Sequence, residues 1–419
     1  MTEDNINRVF EEVIKEIKPE KQEFKQVDET IRKINVLLKK NNIKAECIAG
    51  GSYAKGTILK NDFDIDLFVR FDYAYKDKDI SGLLGKAIKP LGPELVHGSR
   101  DYYQLRVDGL LFEIVPVLRI SDYKKAVNVT DMSPLHVDYV KKHMIKKPWL
   151  GDEIRLAKQF CKAARVYGAE SYIRGFSGHV LDLLIIYYGG FKNLLMQASV
   201  WGSRVIIDPE AHLSNPLEQL NKSKVLSPII IVDPIQPDRN AAAAVSREKF
   251  ELFKQKAKEF LEEPSKEFFE VKRISVEVLK NKAKNDWLII LRAKPLRGKE
   301  DVIGAKVMKC FEHIERHLRR NEFCILECGW EFAPEESLLY YIIRKEKLSD
   351  KIIIKGPPIR VRKNARMFRS KHKEVFEKKG RLYAKEKRKY NTPKELLKDL
   401  IKEEYIKQRV RKMSFLNCS

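Results

Sequence analysis

The chain has 419 residues, 43% hydrophobic and 34% charged. That is enough apolar content for real cores, and the length predicts two or three domains. Its 82 basic residues outnumber 59 acidic ones, a net charge of +23, which points to a polyanionic partner, nucleic acid before an anionic membrane surface. No stretch approaches about 18 uncharged apolar residues, so no membrane span is expected, and the acidic, helical N-terminus is unlike a signal peptide.

Residues 3–18 carry apolar side chains at helical spacing until Pro19, and a second stripe runs from Phe24 to Leu38. The stretch 48–71 follows, IAGGSYAKGTILKNDFDIDLFVRF, and reads as strand, glycine turn, short helix and strand. Phe63, Ile65, Leu67 and Val69 fall on one face of the second strand, and Asp64, Asp66, Phe68 and Arg70 on the other. Beyond it come a helix near 79–90 and two strands, 102–107 and 110–119, joined at Asp108-Gly109. Glu113 interrupts the second of these. Ser133-Pro134 opens a helix that carries His136, and a long helical region covers 149–199. Strands near 203–208 and 228–233, a loop and a helix follow; 264–285 reads as a polar connector.

A third unit is predicted from strand 287–294, helix 301–320 and strands 324–332 and 337–346. Residues 355–393 are basic with interspersed aromatics, expected to pack small helices, and a basic helix is predicted over 393–413. The cysteines at 47, 161, 310, 324, 328 and 418 are scattered, as in reduced cytosolic proteins, and a zinc site is not expected.

Two carboxylates pointing the same way on one strand are costly unless a cation neutralises them. Asp64 follows Ser52 by twelve positions, so a glycine turn able to bring backbone amides close to phosphate precedes the acidic strand. Glu113, on a later apolar strand, reads as a third metal ligand. Lys55 can supply charge to a triphosphate. The combination predicts metal-dependent nucleotidyl transfer, with Mg2+ suited to oxygen ligands.

These residues resemble the DNA polymerase beta nucleotidyltransferase superfamily. SPLH (133–136), RLAKQF (155–160), VYGAESYIRGFSG (166–178), VDPIQPDRNAAAAVS (232–246) and KGPP (355–358) are similar to the archaeal, class I CCA-adding family, and the likeness runs nearly head to tail. The resemblance implies an α+β multidomain protein. A polymerase-beta-like catalytic head would occupy 1–140, a largely helical central domain 141–265, and an α+β RNA-binding region 266–419. It implies catalytic metal ligands at Asp64, Asp66 and Glu113. Gly51, Ser52, Lys55, Ser133, Lys158 and Tyr167 would hold the triphosphate, with His136 and Arg239 near the base or ribose. Mg2+ would be the cofactor, CTP and ATP the substrates, and the acceptor stem and T arm of tRNA the partner. A cytoplasmic location is expected, and oligomeric state stays open, a homodimer included. Lys55, Ser133 and Glu113 stand where Arg, Thr and Asp are common, and Lys in place of Arg loses the bidentate fork. The competing readings are a poly(A) polymerase or oligoadenylate-type transferase on the same core, and a non-catalytic RNA-binding relative.

Overall fold

The computed structural model describes residues 2–20, 24–62, 64–346 and 348–416. Phe63 and Cys418, named above, lie outside the described residues. Helices α1 (Thr2–Ile17) and α2 (Lys25–Lys40) lead into β1 (Ala45–Ala49), the one-turn helix α3 (Gly51–Ala54) and β2 (Asp64–Phe71). Helix α4 (Ile80–Ile88), β3 (Glu94–Val96), β4 (Tyr102–Val107) and β5 (Leu110–Leu118) complete a five-stranded sheet of order β1-β2-β5-β4-β3. Asp108 (φ 48) and Gly109 (φ 85) make the tight β4–β5 turn, whose two positive φ angles match the twist of a hairpin.

Strands β2 and β5 run parallel at the centre of the sheet. Ile65, Leu67 and Val69 are fully buried and pack with Phe112 and Ile114 of β5 against Val27, Ile34 and Leu38 of α2 and Leu84 of α4. The expected alternation therefore holds wherever β2 is described: the apolar face builds the core, while Asp64 and Asp66 lie on the other face, where Phe68 is buried with Val117 and Val137.

Helices α5 (Ser133–Lys146), α6 (Leu150–Ala163), α7 (Gly178–Tyr188) and α8 (Phe191–Ser199) come next. The region 149–199 is thus three helices with a break. Arg165 (φ 57) leaves the helical region, and Val166 and Phe176 close a tight loop through Phe176 N–H donating to Val166 O at 2.7 Å. Ser177 caps α7, and Gly189, in the left-handed region at φ 74, ends it. The short strands β6 (Val205–Ile207) and β7 (Ile229–Ile231) pair in parallel, with α9 (Pro216–Gln219) between them and α10 (Arg247–Glu262) after them.

The helices share one core, and α1 buries Ile6, Val9, Phe10 and Val13 in it rather than beside the sheet. Phe160 of α6 sits at its centre, fully buried, with Phe191, Phe253, Phe260, Phe268 and Phe269 around it. The stretch 264–285 is accordingly more than a polar connector, since Phe269 is a core residue. Phe160→Ala is expected to cost about 3–5 kcal/mol of stability in denaturant unfolding, because rings on several sides cannot collapse into the gap.

Met1–Lys272 and Arg273–Ser419 are separate compact units. The second begins with α11 (Val276–Ala283), β8 (Trp287–Pro295), α12 (Glu300–Arg320), β9 (Ile325–Glu331) and β10 (Ser337–Ile343). It continues through β11 (Lys351–Pro358), α13 (Arg362–Lys371), β12 (Glu374–Lys378), β13 (Arg381–Lys387), α14 (Pro393–Leu400), α15 (Glu404–Lys407) and β14 (Val410–Phe415). Two expectations need correction here. The basic stretch 355–393 does hold one small helix, α13 with Phe368, but it also supplies strands to a three-stranded sheet, order β11-β13-β12, in which Phe376 stacks on Tyr383 across a strand pair at 5.6 Å. The predicted helix 393–413 is two short helices and an edge strand on β8. Edge strands tolerate Lys and Arg, so a charged sequence conceals them.

No helix among the described residues is long and apolar enough to cross a membrane.

Candidate active site

The acidic face of β2 carries Asp64 and Asp66, and the parallel register sets Asp66 opposite Glu113. All three side chains leave the sheet on the side away from the buried core of β2. Burial first, and the Glu113 charge second, push Asp66 up to about 6, while burial and Asp62 raise Asp64. Gln104, across from Glu113 on β4, donates Nε2–H to Glu113 Oε1 at 2.9 Å and fixes that carboxylate. The donor set is oxygen only, hard and anionic, which fits a divalent cation such as Mg2+.

The glycine turn presses against this face. Gly50 N–H donates to Asp66 O at 2.8 Å, and Gly51 adopts φ 51. A Cβ on Gly51 would collide with Asp66 Oδ2 and lie 2.7 Å from its Cγ. The α3 backbone therefore approaches the carboxylate as closely as only glycine permits. Ser52 follows at the helix start, half-exposed.

The opposite wall comes from α6 and α7. Lys55 pairs with the fully buried Asp182 of α7. Lys158 is buried and donates Nζ–H to Thr57 O at 3.1 Å and Thr57 Oγ1 at 3.2 Å. Burial lowers its pKa to about 8, with Asp182 opposing. Burial pushes the Tyr167 phenol well above its ordinary range, and Lys162 lies over its ring at 5.4 Å. Arg155 fastens this wall to the turn, donating Nε–H to Ile58 O at 2.9 Å and Nη2–H to Gly56 O at 2.6 Å.

A second cluster surrounds Asp233, just after β7. Its carboxylate accepts from His136 Nε2 at 2.9 and 3.0 Å, Arg239 Nη1 at 3.1 Å, and the Ile235 and Gln236 amides at 2.9 and 3.1 Å. Burial alone would raise its pKa, but His136 and His179 outweigh it and hold the carboxyl far below the usual range. The ligand atoms of His136, His179 and Asp233 lie within 4.8 Å of one another, a spacing that could also hold a metal ion. Among the described residues Asp64, Asp66 and Glu113 do not close to that spacing, as expected for like charges. Yet Arg239 already places a cation on the Asp233 carboxylate, so we read this cluster as a hydrogen-bonded hub. Ser133, at the first turn of α5, is set by a different anchor. The buried Asp131 accepts from the Leu118 and Asn128 amides at 2.8 and 2.9 Å and pairs with Arg100.

Comparison with known proteins shows the family of the chain. Residues 31–152 match the nucleotidyltransferase domain, 152–270 the second domain of tRNA nucleotidyltransferase, and 288–412 the C-terminal domain of CCA-adding enzymes. The CCA-adding enzyme of Nanoarchaeum equitans is 33% identical over 371 residues, covering 87% of this chain and 90% of that protein. That of Methanocaldococcus jannaschii is 30% identical over 409 residues, 94% and 91% of the two chains. The chain belongs to the CCA-adding enzyme family. The fold is also that of Cid1, an RNA terminal uridylyl transferase, with a TM-score of 0.53, 16% identity, and coverage of 65% of this chain and 100% of that one.

The structure brings several of the residues named from the sequence together. Asp66 and Glu113 meet across the strand register, Gly51 touches Asp66, and Lys55 and Lys158 reach the same wall. His136 and Arg239 meet at Asp233, which sequence reasoning had not singled out. Asp182, Arg155 and Gln104 were missed as well. Asp182 sits in an apolar helix as a lone acid, a signal of the kind that drew attention to Glu113. Asn240, beside Arg239, is structural: its Oδ1 accepts from the Ile231 and Ala242 amides, both at 2.9 Å. His97 is exposed and bonds Asp101 at 3.1 Å.

Proposed function

We propose that this protein adds C, C and A in turn to the 3′ end of tRNA, from CTP and ATP, without a nucleic-acid template. The observation that carries the reading is the juxtaposition of Asp66 and Glu113 with a glycine turn on one side and a lysine-bearing wall on the other. The 3′-hydroxyl of the RNA gives its proton to water as its oxygen attacks the α-phosphorus; a new P–O bond forms, the bond from the α-phosphorus to the α–β bridging oxygen breaks, and pyrophosphate leaves. Asp64, Asp66 and Glu113 would hold Mg2+; bound there, two such ions favour the ionised hydroxyl and offset charge on the leaving oxygens. Lys55 and Lys158 offer ammonium groups to the triphosphate, and Gly51 lets the Ser52 turn come close to it. Ser133 and Tyr167 add hydroxyls to the same subsite. His136 and Arg239, tied to Asp233, offer donors to the base or ribose.

This reading assigns chemistry to residues 1–140, the second wall of the pocket to 141–265, and tRNA contact to 266–419. The exposed Arg362, Lys363, Arg366, Arg369 and Lys371 of α13 suit phosphates of the acceptor stem and T arm.

Transcripts ending at the discriminator base, in C, or in CC test the proposal when supplied with labelled CTP or ATP. Ordered addition of C, C and A is expected, ending there. Unlimited tails would point to a poly(A)-type transferase, and A added to CC alone to a restricted enzyme. Binding of tRNA should weaken on the order of 10³-fold between about 50 and 200 mM salt, as counterion release by several phosphate contacts requires.

A further inference from the structure

Asp182 is fully buried in the second turn of α7, behind Lys55 and Lys158. Its Oδ2 takes the Lys55 ammonium. Its Oδ1 is buried and has no hydrogen-bond partner. A carboxylate placed only to fasten two elements is expected to satisfy both oxygens, because an unmet buried acceptor costs stability. Burial would raise its pKa, yet Lys55 and Lys158 outweigh that and keep it ionised. Lys55 lies close enough to Lys158 to disfavour the charge of Lys158. An ammonium has three donors, and one bond to Asp182 leaves two of Lys55 for another anion.

We propose that Asp182 is a positioning residue for the nucleoside triphosphate. It holds the Lys55 ammonium in the same buried wall as Lys158, ready for phosphate oxygens. The inference rests on reading this pocket as the CTP and ATP site. Because the triphosphate is common to both nucleotides, losing Asp182 should weaken CTP and ATP alike. A defect in the Asp233 hub, on the base side, should instead separate them.

Steady-state kinetics of the full chain with tRNA substrates test this. Asp182→Asn is expected to raise KM for both CTP and ATP about tenfold, the loss of roughly one charge-assisted contact, with kcat and tRNA affinity little changed. Asp182→Glu, which keeps the charge but displaces it, should give a smaller rise in both. Lys55→Ala combined with Asp182→Asn should be no worse than Lys55→Ala alone, since Asp182 acts through Lys55. An unchanged KM, a loss confined to kcat, a loss for one nucleotide only, or additive losses in the double variant would overturn the proposal. If Asp182→Asn does not fold, Asp182→Glu decides: raised KM values support it and unchanged ones sink it. Competition by inorganic tripolyphosphate keeps this separate from the functional reading. If the wild-type protein adds no nucleotide to tRNA, the CCA reading fails. Tripolyphosphate binding, weaker in either Asp182 variant than in wild type, would still support the role of Asp182, and equal binding would still reject it.

Discussion

Asp66→Asn should lower nucleotide addition on the order of 10³-fold or more while leaving tRNA affinity near wild type, since metal stabilisation of a phosphoryl transition state amounts to several kcal/mol. Asp66 is pushed up to about 6 by burial and then by Glu113. Two neighbouring anions in a half-dry site stay ionised together only when a cation is supplied. Asparagine keeps the shape and the hydrogen bonds of the strand but removes one of the charges that draws the cation. The protein should therefore show a Mg2+-dependent rise in melting temperature that shrinks in Asp66→Asn, because a ligand that binds only the folded state stabilises it. Chelation should abolish addition in the wild-type protein, and Mg2+ should restore it. Full activity of Asp66→Asn would remove the catalytic assignment. Loss of activity together with equal loss of tRNA binding would mean the substitution disturbed more than the metal face.

The head of the molecule was legible because its chemistry depends on short-range patterns. Asp64 and Asp66 are two residues apart on a strand, so a period of two places them together without knowledge of the fold. Gly51 announces a turn by its lack of a Cβ. Glu113 was found as a charge out of place in an apolar run. What could not be read is what depends on pairing between distant segments. Asp182 takes its meaning from Lys55, 127 positions away, and Asp233 from His136, 97 positions away. Arg155 reads as one more charged residue of α6 until its guanidinium is seen on the carbonyls of Gly56 and Ile58. The C-terminal strands were hidden for another reason. In β13 (RLYAKEK) and β14 (VRKMSF) many exposed positions are Lys or Arg, and the charge masks the strand pattern.

Gly51→Ala is expected to cost about hundredfold or more in nucleotide addition, and Gly56→Ala far less. Both glycines have left-handed backbones, with φ 51 at Gly51 and φ 64 at Gly56. Each substitution therefore pays a similar conformational penalty of about 1–2 kcal/mol. They differ in what the new methyl meets. At Gly56 there is nothing within 4 Å, whereas at Gly51 the methyl would run into the carboxylate of Asp66. That carboxylate cannot retreat into the sheet, because the far side of β2 is filled by Ile65 and Leu67, both fully buried. Either the Asp66 side chain turns away or the turn lifts off the strand, losing the Gly50 amide bond to Asp66 O. In both cases the proposed metal ligand moves by something like 1 Å, a displacement that can cost 10²-fold. Melting temperatures separate the two effects: similar destabilisation in both variants, with activity lost mainly in Gly51→Ala, would show that the glycine is there for the carboxylate. Equal activity losses would show that backbone strain alone explains it, and the close approach of the turn to Asp66 would have no catalytic meaning.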